Sequence, residues 1–404
     1  MILRAYTVLP MDRPPLDNGA VVVDANNIIA VGRWSEIKMA YNGETRDLGD
    51  VVLLPGLINA HCHLDYTDMA GQVAWLGSFT DWIQRIVERK KTQTAAEYAA
   101  AVGMGLDQLA RTGTTTVVNV VAFPPLITQF TKTPIRVWWC PELIDIGRGH
   151  ETESMVQHTV GFLAAHENAT GGFGLSPHAP YTASQGLYQT AASNARGRGW
   201  LLTTHLAESD EEDAMFHQGT GPMYDHFLRL GRNMSDCEHS GVVRALGEAG
   251  ALGPNCLAVH ANYLTPSDVT LLEQSGTHVV LCPRSHEFFK RRPPMLPMFR
   301  EQGINVCIGT DSMASNDRLD LFAEMQTLTD QFGLISPECI LRLATTGAAK
   351  ALNRTEKLGR LAAGMWADMI AVPRDGAMSD PYEMVVFSKN PISFSMVDGE
   401  EILL

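Results

Sequence analysis

The sequence predicts an α/β protein whose body is a (β/α)8 barrel (TIM barrel), with a small sheet domain assembled from both termini. Three observations predict it. Short apolar runs alternate with amphipathic helical stretches through residues 54–355, eight such runs can be counted, and both chain ends lose the alternation and read as strands and turns. At 404 residues and 45% hydrophobic, the chain can bury a core of that size. A doubly wound open sheet is the rival architecture, but no G-x-G-x-x-G follows any apolar run.

Taken in order, GAVVVDANNIIAVG has two apolar runs around the Asn26-Asn27 pair, which predicts a hairpin. At the other end, GRLAAGMWADMIAVP and PISFSMVDGEEIL are strand-and-turn segments. The expected domains are therefore 1–53 plus 356–404 for the terminal sheet, and 54–355 for the barrel. The eight barrel runs are LLPGLINAH, TTTVVNVV, PIRVWWCPEL, GGFGLSP, GWLLTTH, CLAVHAN, HVVLCPRS and INVCIGTDS. Stretches such as AAEYAAAVGMGLDQLAR and PSDVTLLEQSG supply the helices between them. The segment from Glu208 to Asn255 is long for one β/α unit. Its acidic run SDEED reads as a solvated helix, and the 209–255 insertion as a whole reads as that helix plus surface loops or as a lid over the barrel mouth.

Composition narrows the partners. A formal charge of −14 repels phosphate backbones, so nucleic acid is not expected. The seven cysteines are scattered and odd in number, which points to reduced thiols in a cytoplasmic protein. The N-terminus lacks the apolar core of a signal peptide, and no run approaches the roughly 18 apolar residues needed to span a bilayer. The expected partner is a small-molecule substrate, with no membrane involved.

In such a barrel the chemistry sits at the C-terminal ends of the strands. There LLPGLINA ends in His61 and His63, GWLLTT in His205, CLAV in His260, INVCIGT in Asp311 and GGFGLSP in His178. One histidine at a strand end is usually a satisfied core residue. Five metal-capable strand ends in one barrel point instead to a metal centre. Side chains alternate along a strand, so His61 and His63 share a face while Cys62 points away as a packing residue. With His205 and Asp311 they make a three-nitrogen, one-oxygen set. That set suits one divalent ion, zinc first and iron or manganese as alternatives, with a position left open for water.

At this point the chain resembles the amidohydrolase superfamily, in its branch of metal-dependent deaminases of nucleosides and related heterocycles. The resemblance rests on PGLINAHCH, SPHAPYT, THLAES, VHANYLT, CPRSHEFF, IGTDSMASN and GRLAAGMWADMIAV, and covers essentially the whole chain. It implies a β-sandwich from both termini beside the barrel, and metal ligands at His61, His63, His205 and Asp311. It also implies hydrolytic deamination through metal-activated hydroxide, with Asp311 taking a proton from the water. Glu208 on its own reads as a helix N-terminal acid; the resemblance makes it the shuttle that protonates the ring nitrogen and then the leaving amine. His260 is implied to orient the attacking water. Binuclear members carry a lysine at the end of strand four. GGFGLSPH has none, so a single metal is expected.

The substrate is less legible. SPHAPYT, CPRSHEFF and IGTDSMASN most resemble the branch acting on S-adenosylhomocysteine, methylthioadenosine and aminodeoxyfutalosine, where the histidine matching His178 contacts the substrate. Arg284 and His286 are candidates for its polar part, although an ion pair accounts equally well for Arg284. Arg148 could pair with a substrate carboxylate, or be a plain loop residue. Trp75, Phe79 and Trp82 could stack on a base or simply pack a helix. LDYTD after HCH departs from guanine and cytosine deaminases, and the same scaffold hosts triazine hydrolases and openers of cyclic amides. A non-catalytic scaffold on this fold typically loses metal ligands, whereas all four are present here with the acid. A homodimer is expected by analogy with the fold alone.

Overall fold

The computed structural model describes residues 1–146, 151–166, 171–237 and 241–403. Its centre is a closed ring of parallel strands: Leu57–His63, Thr114–Val121, Arg136–Leu143, Gly171–Pro177, Leu201–Leu206, Cys256–His260, His278–Leu281 and an eighth in two pieces, Val306–Ile308 and Asp311–Ser312. The first piece pairs with His278–Leu281 and the second with Leu57–His63. One segment thus joins both edges of the sheet and closes the barrel. All eight apolar runs contribute to it. Helices alternate with the strands and cover the outside, as parallel strands buried on both faces require.

Closure brings backbones close together. A Cβ at Gly309 would lie 2.6 Å from the His61 carbonyl oxygen, so only glycine lets the eighth segment lie against the first strand. Beyond it, Thr310 N donates to His61 O at 3.1 Å. The buried Asn59 stitches the seam: its Oδ1 accepts from Thr310 N at 3.2 Å, and its Nδ2 donates to Thr310 Oγ1 at 2.8 Å.

The run LLPGLINAH, read above as a single strand, serves two sheets. Val51–Pro55 belongs to the terminal sheet, where it pairs with Ile2–Val8 in parallel and with Met369–Pro373 antiparallel. The chain then passes Gly56, where any Cβ would collide with the Thr115 side chain, and enters the barrel at Leu57. The remaining strands of this mixed sheet are Leu16–Asp24, Asn27–Arg33, Thr45–Asp47, Phe394–Val397 and Glu400–Glu401. The N-terminal hairpin turns on Ala25 and Asn26 rather than on the two asparagines, because Asn27 already pairs with Asp24. Ala25 takes the left-handed conformation, φ 48°.

SDEED is not merely a solvated face. Ser209 caps the helix Asp210–Gln218, and Glu212 is fully buried. Glu211 accepts from the backbone N–H groups of Phe79 and Thr80, at 2.8 and 2.9 Å, and so caps the helix Phe79–Lys91. Two further helices, Pro222–Arg229 and Val242–Glu248, complete the described part of the insertion. Among the described residues, no helix is long and apolar enough to cross a membrane.

Barrel and terminal sheet are locked by a buried ion pair. Arg136, at the start of the third barrel strand, donates Nε to Asp368 Oδ2 at 2.7 Å and Nη2 to Asp398 Oδ1 at 2.6 Å, while stacking over Trp366. Removing one partner of such a pair leaves an uncompensated buried charge, which costs about 3–5 kcal/mol. Arg136→Met is therefore expected to lower the urea unfolding midpoint sharply. Arg111→Ala, which breaks the exposed helix-surface pair with Asp107, should leave it unchanged. Equal midpoints for the two variants would contradict the assignment.

Candidate metal centre and catalytic site

His61 and His63 end the first barrel strand two residues apart, on one face, and both are buried. His205 arrives from the fifth strand and Asp311 from the eighth. The donor atoms of these four residues all lie within 4.8 Å of one another. His63 Nε2 and His205 Nε2 are 3.3 Å apart, and Asp311 Oδ1 lies 3.6 Å from His61 Nε2 and 3.8 Å from His63 Nε2.

The protonation states suit ligands. Burial pushes the His61 imidazole down and the His63 imidazole well below its usual range, so both are neutral with lone pairs free. His205 Nδ1 lies 2.9 Å from the His178 carbonyl, which can only accept; the proton therefore sits on Nδ1 and Nε2 is left as a donor atom for an ion. Burial alone would raise Asp311, but the neighbouring imidazoles hold its carboxyl well below the usual range. Its other oxygen accepts from Ser285 Oγ at 2.7 Å and Ser315 Oγ at 3.0 Å. Among the described residues, neither ring nitrogen of His61 nor Nδ1 of His63 has a hydrogen-bond partner. Neutral imidazoles and one oriented carboxylate whose donor atoms converge, His61 Nε2 without a hydrogen bond among them, are what a divalent cation needs. The residues fit a metal ion.

The backbone around the cluster is held in sparsely populated conformations: Ala207 φ 48°, His260 φ 72°, Ala261 φ 51° and Asp311 φ 58°. Each costs on the order of 1–3 kcal/mol and persists where surrounding bonds over-determine it. Here Ala261 N donates to Leu206 O at 3.0 Å, and Asn262 N and Tyr263 N both donate to Ala207 O at 3.0 Å. These bonds tie the ends of the fifth and sixth strands together and bring His260 beside Glu208.

Glu208 is pinned along its backbone and at its carboxylate. Its N–H donates to Glu212 Oε2 at 2.7 Å, its carbonyl accepts from Asn262 Nδ2 at 3.0 Å, and its Oε1 accepts from Arg291 Nη2 at 2.9 Å. His260 Nε2 is 3.6 Å from the same oxygen. Burial raises the Glu208 carboxyl, while Arg291 and His205 pull against that rise.

A cavity opens over the cluster. His63, His205, Glu208, His260 and Asp311 form its floor, and Phe79, Trp82, Ile83, Ile86 and Val87 of the helix Phe79–Lys91 form one wall. A polar corner completes it: Lys90 Nζ lies 3.5 Å from Glu142 Oε2 and 5.1 Å from the Tyr66 ring centre, and His178 Nε2 lies 4.0 Å from Glu142 Oε1. Burial would raise Glu142, but Lys90 and the nearby histidines bring it to about 2, so it is a carboxylate. Burial takes His178 down to about 3, and its Nδ1 is bonded to Thr182 Oγ1 at 2.7 Å.

The sequence-predicted residues do not all reach this cavity. His178, Phe79 and Trp82 line it, whereas Trp75 packs edge-on against Phe289. Contrary to expectation, Arg284 and His286 are not among the lining residues. Arg284 bonds to Asn316 Oδ1 at 3.0 Å and pairs with Asp317, while His286 is buried with its ring 5.6 Å from that of His260. Successive residues of the helix Pro283–Phe288 point about 100° apart. Ser285, between the two, is the one that faces Asp311. Arg148 lies outside the described residues. The sequence reading missed Arg291, Lys90 and Glu142. The strand-end rule itself could have found Glu142, in the PEL that closes the third strand, whereas Lys90, in the helix Phe79–Lys91, and Arg291, beyond the helix Pro283–Phe288, lie away from any strand end.

Comparison with known proteins agrees with this geometry. The amidohydrolase family model matches residues 52–402. A 5-methylthioadenosine/S-adenosylhomocysteine deaminase of Syntrophobacter fumaroxidans is 30% identical over 95% of this chain and 85% of its own. Among solved structures, Helicobacter pylori aminofutalosine deaminase in complex with methylthio-coformycin superposes with a TM-score of 0.90 over the full length of both chains, at 18% identity. An adenosine deaminase from Xanthomonas campestris with bound zinc gives 0.83 over 99% of this chain and 92% of its own, at 22% identity. With nearly the whole chain matched and a metal-capable cluster at the strand ends of its barrel, this protein belongs to the amidohydrolase family.

Proposed function

We propose that the protein is a metal-dependent hydrolytic deaminase of adenosine-type nucleosides with a modified 5′ position, in the class of methylthioadenosine, S-adenosylhomocysteine and aminodeoxyfutalosine. The observation that carries this reading is the Glu208 carboxylate. It is fixed beside His260 on the cavity floor, three residues beyond His205, where a ring nitrogen of a bound base can reach it. The relative at 30% identity, a deaminase of such nucleosides, supports the same class.

In this reading His61, His63, His205 and Asp311 hold one divalent cation, with zinc favoured because the Xanthomonas neighbour binds it. A single ion is expected because the fourth strand is followed by His178 and offers no lysine to bridge two. When bound, the ion supplies a water with its pKa lowered to about 7. The remaining steps belong to the chain. Asp311, kept ionised by its neighbours, accepts a proton from the attacking water. His260 orients that water from the adjoining strand end. Glu208, whose carboxyl burial raises, acts in its protonated form: it gives its proton to the ring nitrogen, which makes the amine-bearing carbon electrophilic. Asp311 passes the water's proton to the amine, which leaves as ammonia, and the hydroxyl proton of the adduct returns to Glu208. The product retains the ring N–H and gains a carbonyl in place of the amine.

The cavity suits such a substrate. The wall from Phe79 to Val87 offers aromatic and aliphatic surface to a flat base and an apolar 5′ group, and the Glu142–His178 corner offers acceptors to hydroxyls. Free thiols at Cys62, Cys140, Cys256, Cys282, Cys307 and Cys339 support placing the protein in the cytoplasm.

A zinc-loaded preparation is expected to release ammonia from 5′-substituted adenosines, with the absorbance change of adenine becoming hypoxanthine. Turnover confined to triazines, guanine or cyclic amides would overturn the substrate class. Glu208→Gln should lose about 100- to 10,000-fold in kcat while keeping its metal; retained turnover would remove the proton-shuttle role. His205→Ala should purify with little bound metal, against about one equivalent in the wild type. Equal metal content in the two, measured by elemental analysis, would refute the ligand set.

A further inference from the structure

The segment Lys290-Arg291-Arg292 follows the helix Pro283–Phe288, and no step above uses it. It is built around Glu208. Arg292 donates Nε and Nη2 to the Asn262 carbonyl, at 2.9 and 2.6 Å, and the same Asn262 holds the Glu208 carbonyl through Nδ2. Arg291 reaches the Glu208 carboxylate directly. Its side chain is only 4% exposed, and its guanidinium carbon stands 4.8 Å from the Phe79 ring centre and 4.3 Å from that of Phe289. Those rings are themselves fixed, 5.3 Å apart and edge to face, and Phe79 begins the helix capped by Glu211. A planar cation held against two aromatic faces has few orientations open to it.

The bond is one-sided. Arg291 takes Oε1, and Oε2 has no hydrogen bond among the described residues while the side chain lines the cavity. A carboxylate that shuttles protons needs one oxygen presented in a constant direction and the other occupied, because an error near 1 Å in such placement costs about 100-fold in rate. An isolated buried glutamate would instead swing between rotamers.

We propose that Arg291 is the positioning residue of this site: wedged against Phe79 and Phe289, it fixes Glu208 through one oxygen so that the other faces the base. This rests on the shuttle role of Glu208. It explains why a buried cation, expensive to desolvate, sits beside a reacting group rather than at the surface.

The test compares Arg291→Ala and Arg291→Lys with wild type on the same nucleoside, with metal content and unfolding midpoint measured for each. Arg291→Ala is expected to lose about 100-fold in kcat with KM within about threefold of wild type and metal retained. Arg291→Lys should be intermediate. Millimolar guanidinium ion should restore turnover to Arg291→Ala and do nothing for Glu208→Gln, a response that a merely structural role would not give. Wild-type kcat in Arg291→Ala overturns the proposal. So does a raised KM at unchanged kcat, or a guanidinium response that is absent while Lys is no better than Ala. If Arg291→Ala does not fold, Arg291→Lys decides: lowered kcat with metal retained supports the role, and unchanged kcat removes it. Absence of ammonia release by wild type from every nucleoside refutes the deaminase reading instead. The series is then run on whichever heterocycle the wild type hydrolyses, so the two failures remain separate.

Discussion

Barrel closure is the constraint on which the rest depends. The eighth segment must reach the first strand, and it does so through Gly309 lying against the His61 backbone, Thr310 bonded to His61, and Asn59 bridging both. That seam carries Asp311 to within 3.6 Å of His61 and 3.8 Å of His63, although the residues are far apart in the chain. The same contact that removes the open edges of the sheet therefore assembles three of the four ligands. A side chain at residue 309 would separate edges and ligands together.

A second theme is how the site tolerates so many polar groups away from water. Burial drives the histidines toward their neutral, lone-pair-bearing forms. The carboxylates are kept near the reacting centre by specific partners: Asp311 by Ser285 and Ser315, Glu208 by Arg291, Glu142 by Lys90. A buried charge without such a partner would neutralise or destabilise the fold. His61 Nε2 has no hydrogen-bond partner among the described residues and lies 3.6 Å from Asp311 Oδ1, where a cation would satisfy it.

The long insertion after the fifth strand is part of the same construction. Glu212 holds the backbone N–H of Glu208, and Glu211 caps the helix whose residues form the apolar wall. Acidic residues that read in sequence as a solvated run thus join the metal side of the cavity to its wall. Local composition misled here because a carboxylate capping a distant helix and a carboxylate in water share the same sequence neighbourhood.

The sequence by itself determined the barrel, the terminal sheet and the alternation that turns His61 and His63 to one face while Cys62 turns to the other. These follow from strand periodicity, which is a local property. Strand-end placement likewise carried His205, His260 and Asp311 to the right end of the barrel. Only the tertiary structure decided which neighbours those groups meet. It turned Arg284 toward Asn316 and Asp317, put Ser285 on Asp311, sent Lys90 from an early helix to Glu142, and set Arg291 between two aromatic rings against Glu208. The reason is physical: periodicity fixes which way a residue points along its own element, whereas a long side chain from a loop or helix end is aimed by whatever packs against it.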